Sequence, residues 1–139
     1  ALYNPSSYGR YDSAVLYFER SHYEVVRQVV EKVYAENHSY FYARVPLFTK
    51  FLAPGLALAE EPDRKFAAKE SFGMNRCQIV ANGLLDARAK GEDSAESRME
   101  SILQQFSQVG IDYSKSYLNA NSQDIYTGLD LRESRLCIL

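Results

Sequence analysis

The chain has 139 residues, enough for one domain with a core that needs neither metal nor disulfides. Hydrophobic residues make up 46% and charged residues 24%, the balance of an ordinary globular protein, and a net charge of −2 offers nothing to nucleic acid or to an acidic membrane surface. No apolar run reaches the roughly 18 residues of a membrane span, the opening ALYNPSSYGRYD has no signal-peptide core, and Cys77 and Cys137 form neither a disulfide framework nor a zinc spacing.

Pro5 and Gly9 make the first twelve residues a loop. The abrupt, tyrosine-rich start reads as the C-terminal portion of something longer. Ser13 to Glu19 (SAVLYFE) is rich in strand formers and alternates, which predicts a strand. Ser21 to Glu36 is the clearest helix. Ser21 and Glu24 have the spacing of a capping box, and Val26, Val29, Val30, Val33 and Tyr34 recur at helical intervals. Asn37-His38-Ser39 ends it. Tyr40 to Ala43 reads as a further strand. Leu47 to Leu52 is apolar around Thr49 and Lys50, Pro54-Gly55 is a turn, and Leu56 to Glu61 is the returning strand.

Pro62 to Glu70 is a charged connector. Ser71 caps a helix running to about Lys90, with a buried stripe expected at Cys77, Val80, Ala81 and Leu84. Asp93 is expected to cap the next helix, whose apolar stripe is Ala95, Met99, Ile102, Leu103 and Phe106. Gly110 takes the left-handed position after it, with Ile111 turned back to Phe106. Asp112 to Asn121 alternates and then breaks into turns at Asn119 and Asn121. The remainder is a mixed tail with an ambiguous end. The fold class these elements define is α+β: an antiparallel sheet with flanking amphipathic helices, in a single domain over 1–139.

There is no GxGxxG, P-loop, HExxH or GxSxG, so dinucleotide binding, P-loop phosphoryl transfer, zincin and α/β-hydrolase chemistry fall away, and no cofactor or metal is expected. The readable chemistry lies in Val45 to Gly83. Lys50 stands in an apolar run, where burial would lower its pKa and suit a general base; the plainer reading has it facing solvent from a half-buried strand. Arg76 lies a turn after Gly73, whose lack of a side chain leaves backbone N–H groups accessible. That is a workable anion site, or Arg76 pairs with Glu60 or Glu61. Asn75 is its neighbour. Asn119 either orients a polar ligand or only makes a turn. His38 suits the end of its helix or proton transfer. The eleven tyrosines form either a half-buried sheet or a ligand groove.

PLFTKFLAPGLALAEEP followed by SFGMNRCQIVANGLL resembles the HopA-type family, named for a type III secretion effector of plant-pathogenic bacteria and with relatives in clusters that modify ribosomal peptides, lanthipeptides among them. YGRYDSAVLYF and IDYSKSYLNANSQDIY extend the resemblance over roughly Tyr3 to Tyr126. Ser116 and Ala120 stand where prolines are expected around Tyr117-Leu118-Asn119. The resemblance implies a phosphoserine or phosphothreonine lyase acting on a peptide or protein beside a kinase-like partner, or else a non-catalytic effector module that engages host proteins. It implies residence in the bacterial cytoplasm or delivery to a host cell. In the lyase reading Lys50 is the base and Tyr117 or His38 the proton donor. Arg76, Arg44 and Gly73 hold phosphate, and Glu60, Asn75 and Asn119 support them. Convergence of Lys50, Arg76 and Asn119 in one concave pocket would favour that reading; Arg76 spent on Glu60 or Glu61 inside a filled core would favour the module.

Overall fold

The computed structural model describes residues 5–130, apart from 8 and 92; Cys137 and the tail from 131 lie outside the described residues, as do Tyr3 and Tyr8. The fold is α+β. Helices α1 (Tyr23–Asn37), α2 (Phe72–Ala89) and α3 (Ala95–Gln108) accompany a two-stranded antiparallel sheet, β1 (Lys50–Ala53) and β2 (Leu56–Leu58). The residues fall into two compact units. The first holds 1–46, 51–57 and 125–139, the second 47–50 and 58–124, so the chain passes between them four times.

In the first unit the Pro54-Gly55 turn closes the hairpin as expected. Gly55 has φ +74°, and a Cβ there would come within 2.0 Å of the Tyr42 carbonyl oxygen, so only glycine fits. Two tyrosines of α1 make the core. The Tyr23 hydroxyl donates to the Thr127 carbonyl at 2.7 Å and its ring meets Tyr126 edge-on at 4.8 Å. The Tyr34 hydroxyl donates to the Pro54 carbonyl at 2.9 Å, and its ring packs on Phe41. Buried phenols keep their hydroxyls satisfied in this way.

Several expectations fail here for identifiable reasons. Ser13 to Glu19 carries one isolated bridge at Ala14 and no strand, and its Leu16 and Tyr17 are exposed. Tyr40 to Ala43 likewise has no ladder, and a 3-10 turn, His38–Tyr40, takes its first residue. The Ser21–Glu24 capping box is not made. A 3-10 turn, Arg20–His22, absorbs Ser21, and Glu24 accepts instead from Arg27 and Gln28. The buried face of α1 is Tyr23 and Tyr34, with Val29 and Val33 exposed.

In the second unit Ser71 caps α2, its hydroxyl accepting from the Met74 amide at 3.3 Å. The buried face of α2 is Asn75, Arg76, Ile79, Gly83 and Ala87, not the expected Cys77–Leu84 stripe, of which Cys77, Ala81 and Leu84 are exposed. Size explains the choice. A Cβ at Gly83 would lie 2.5 Å from Ile102 Cα, so the small Gly83 lets α3 lie directly against α2. Ser94, not Asp93, caps α3; Asp93 accepts from Arg98. The helix ends as expected. Gly110 has φ +74°, its amide donates to Ser107, and the Ile111 amide donates to Phe106 at 3.0 Å, the paired bonds of a Schellman ending. Phe106 is buried against Tyr113 and Phe48, whereas Met99 and Leu103 stay exposed.

Candidate functional site

Residues 116–124 of the second unit have no helix or strand, yet almost every polar group along them is bonded. Three charged side chains do the bonding. Arg76 projects from the first turns of α2 and is 1% exposed. Its Nε donates to the Ser116 carbonyl at 2.7 Å and one terminal nitrogen donates to the Leu118 carbonyl at 2.9 Å. The other donates to Asn75 Oδ1, and the Phe72 ring lies 5.0 Å from the guanidinium. A planar fork of donors can grip two carbonyls at once, which a lysine cannot. Burial pulls the Arg76 pKa down, opposed by the carboxylates of Asp63, Glu60 and Glu70.

Glu60 holds the next stretch. Its carboxylate accepts from the Asn119 amide at 2.8 Å and from the Ser122 hydroxyl at 2.7 Å, while its own amide donates to the Tyr117 carbonyl at 2.8 Å. Asn119 Nδ2 donates to the Glu61 carbonyl at 2.9 Å. Asn121 takes φ +61°, the left-handed turn its residue type allows.

Lys50 closes the end. Its ammonium lies 2.8 and 2.9 Å from the two Asp124 oxygens and 3.4 Å from the Tyr117 hydroxyl, and the Tyr117 hydroxyl donates to Asp124 at 2.6 Å. Side chains of Lys50 and Asp124 are about one-fifth exposed. Burial lowers the lysine pKa, but the bonds to Asp124 and Tyr117 outweigh it, and the net shift is upward. Burial and the Asp124 bond likewise raise Tyr117. The cluster is therefore a charged ammonium and a protonated phenol sharing one carboxylate. The expectation of a depressed, basic Lys50 is reversed, and the solvent-facing alternative is wrong as well.

The structure thus brings Lys50 and Tyr117 together. Asn75 and Glu60 are brought into the same unit's bonding: Asn75 Nδ2 donates to the Arg64 carbonyl and to buried Glu70, fixing the connector before α2. Arg76 bonds neither Glu60 nor Glu61; backbone carbonyls and Asn75 take it instead. Gly73 lies exposed in the first turn of α2, and a Cβ there would touch nothing. His38 and Arg44 belong to the first unit and are exposed; His38 Nδ1 faces the Ala35 carbonyl at 3.2 Å, the helix-end position. Of the described tyrosines, Tyr23, Tyr34 and Tyr126 are core and Tyr11, Tyr17, Tyr40, Tyr42 and Tyr113 are exposed, so no half-buried sheet gathers them.

Asp124 escaped the sequence reading. The signal was present: it is the one carboxylate between Asp112 and Asp130, and a half-buried lysine needs a counter-charge.

A domain of this class, α+β with its charged residues turned inward onto one loop, meets a known family pattern. The HopA1 effector protein family matches residues 1–118, and the chain belongs to that family. No curated protein matches it. No helix among the described residues is long and apolar enough to cross a membrane.

Proposed function

We propose that this chain is a protein-binding module of the effector type, and that it does not itself eliminate phosphate. One observation carries the reading. Lys50, Arg76 and Glu60, three of the residues on which a lyase would draw, are each spent on the 116–124 loop of their own unit. A phosphate needs a cation that can meet it, and Arg76 is buried and bonded to carbonyls, which leaves the exposed Arg44 of the first unit as the other cation assigned to that role. An α-proton needs an unprotonated base, and Lys50 is held charged by Asp124. Among the described residues no buried side-chain nitrogen or oxygen lacks a partner, which fits a filled core better than a reaction site. The module would act by contact, on a host protein after delivery or on a peptide beside a kinase-like enzyme.

The lyase remains the second reading because Lys50 and Tyr117, a base and an acid by type, do lie 3.4 Å apart with Lys50 partly exposed. Elimination would then require Asp124 to give up the ammonium. The two separate in one assay. A phosphothreonine peptide is incubated with the folded chain, and mass spectrometry follows loss of phosphoric acid. The binding module gives no loss. Loss that disappears in Lys50→Ala and in Tyr117→Phe establishes the lyase and ends the proposal.

A further inference from the structure

Helix α3 spends only part of its apolar stripe on the core. Phe106 is buried, but Met99 is 36% and Leu103 41% exposed. Past Leu103 the strip opens into a shallow groove of about 460 Å³, lined by Leu103, Ser107, Gly110, Ile111, Asp112 and Tyr113. All of it lies in the second unit. Tyr113, 42% exposed, lines it while its ring packs in a T-shape with Phe106 at 5.3 Å. The floor is rigid, because the Schellman ending sets Gly110 and Ile111 and the Asp112 carboxylate accepts from the Ser114 amide and hydroxyl.

The surroundings of this strip are acidic. Glu96 and Glu100 are exposed on α3 at helical spacings from Met99 and Leu103, and Asp112 stands on the groove itself. From 93 to 115 there are four acidic residues and two basic ones. Of the two, Arg98 is bonded to Asp93, and Lys115 lies close enough to Asp112 to help hold its pKa down. The hydrogen bonds from Ser114 hold the Asp112 carboxyl below its ordinary range, so its negative charge persists.

We propose that the α3 strip and the groove at its end dock a basic amphipathic segment of a partner protein: apolar side chains seated from Met99 to Tyr113, with lysine or arginine beside Glu96, Glu100 and Asp112. This rests on the binding-module reading and names its surface and the chemistry of its partner. An amphipathic helix laid in a groove anchors through side chains at i, i+4 and i+7, and flanking charges choose among partners.

The test uses the full chain and a dye-labelled synthetic helical peptide with leucines at i, i+4 and i+7 flanked by lysines. A counterpart carries glutamate for each lysine. Fluorescence anisotropy is expected to show the lysine peptide binding about tenfold or more tightly than the glutamate peptide. Leu103→Glu and Met99→Glu each weaken it about tenfold. Asp112→Asn, which keeps the acceptor for Ser114, weakens it about threefold and flattens its salt dependence. Leu85→Glu, on the exposed face of α2, changes nothing. Circular dichroism confirms the fold of each variant, and two α3 variants guard against one that misfolds. Equal affinity for the two peptides overturns the proposal, as does loss in Leu85→Glu with none in Leu103→Glu. A wild-type dimer in sedimentation that Leu103→Glu abolishes gives the strip to a second copy of the chain instead. None of these results bears on phosphate elimination, so failure of the surface and failure of the binding-module reading are told apart.

Discussion

At the scale of single residues, Arg76 is the side chain on which the most backbone depends. Its two carbonyl bonds and its bond to Asn75 hold an irregular loop against α2 with no ladder to help. Removing it strands two buried acceptors. Arg76→Leu is expected to cost about 3 kcal/mol in urea denaturation, and Arg76→Lys to recover less than half of that, because a single ammonium cannot span both carbonyls. An Arg76→Leu chain as stable as wild type would mean that the guanidinium only fills space. Lys50 gives a second residue-level test. Its pKa is raised in the folded chain above the unfolded value of about 10.4. A raised folded pKa contributes stability that is whole below the unfolded pKa and lost as pH rises through the folded one. Tyr117 is shifted in the same direction. Thermal midpoints are therefore expected to hold up to about pH 10 and to fall beyond it. In Asp124→Asn the upward pull of the carboxylate on Lys50 is lost while burial and the Tyr117 hydroxyl still act, so the Lys50 shift shrinks and the midpoint falls less steeply above about pH 10. Parallel curves for the two proteins would show that the ion pair does not govern that loss.

Elements were legible where the signal was local. Ser71, the Pro54-Gly55 turn and the Gly110 ending announce themselves in a few adjacent residues, and each is where its chemistry requires. The faces of the helices were not legible in the same way. Hydrophobicity pointed to Cys77, Val80, Ala81 and Leu84 on α2, but the buried face carries Asn75 and Arg76, polar groups that become core only because distant carbonyls receive them. The strand expected at Ser13 to Glu19 is reduced to a single bridge at Ala14, because β-propensity alone does not make a strand. The site was half legible. Lys50, Arg76, Glu60 and Asn119 all carry the bonds that shape it, whereas their roles depended on Asp124, marked only as a lone carboxylate in its stretch, and on carbonyls of 116–118 that no spacing reveals. The packing of α2 on α3 turns on Gly83. Gly83→Ala would improve helix propensity by roughly 1 kcal/mol in an exposed helix, but here its Cβ meets the Ile102 backbone. Overpacking is expected to win, with a net loss of about 1–3 kcal/mol in denaturant titration. A stabilised Gly83→Ala chain would show that the helices can move apart at little cost.

For the whole molecule, the question is which residues the folded chain needs, and the family pattern and the physical contacts draw that boundary differently. The family match stops at residue 118. Beyond it lie partners of both units. In the second unit Glu60 is bonded to Asn119 and Ser122, and Lys50 to Asp124. In the first, Tyr23 is paired with Tyr126 and Thr127, and the Leu52 carbonyl accepts from the Leu129 amide. A chain ended at 118 would leave Lys50 and Glu60 partly buried without these counterparts and would uncover Tyr23, a central ring of the first core. Losses of that kind run to a few kcal/mol each against a total stability of about 5–15 kcal/mol. Residues 1–118 are therefore expected to show no cooperative thermal transition and little near-ultraviolet dichroism, while the full chain melts cooperatively. A cooperative melt of 1–118 close to that of the full chain would mean that the segment after 118 only decorates a fold already complete, and that the Lys50–Asp124–Tyr117 cluster is held in place for some purpose other than stability.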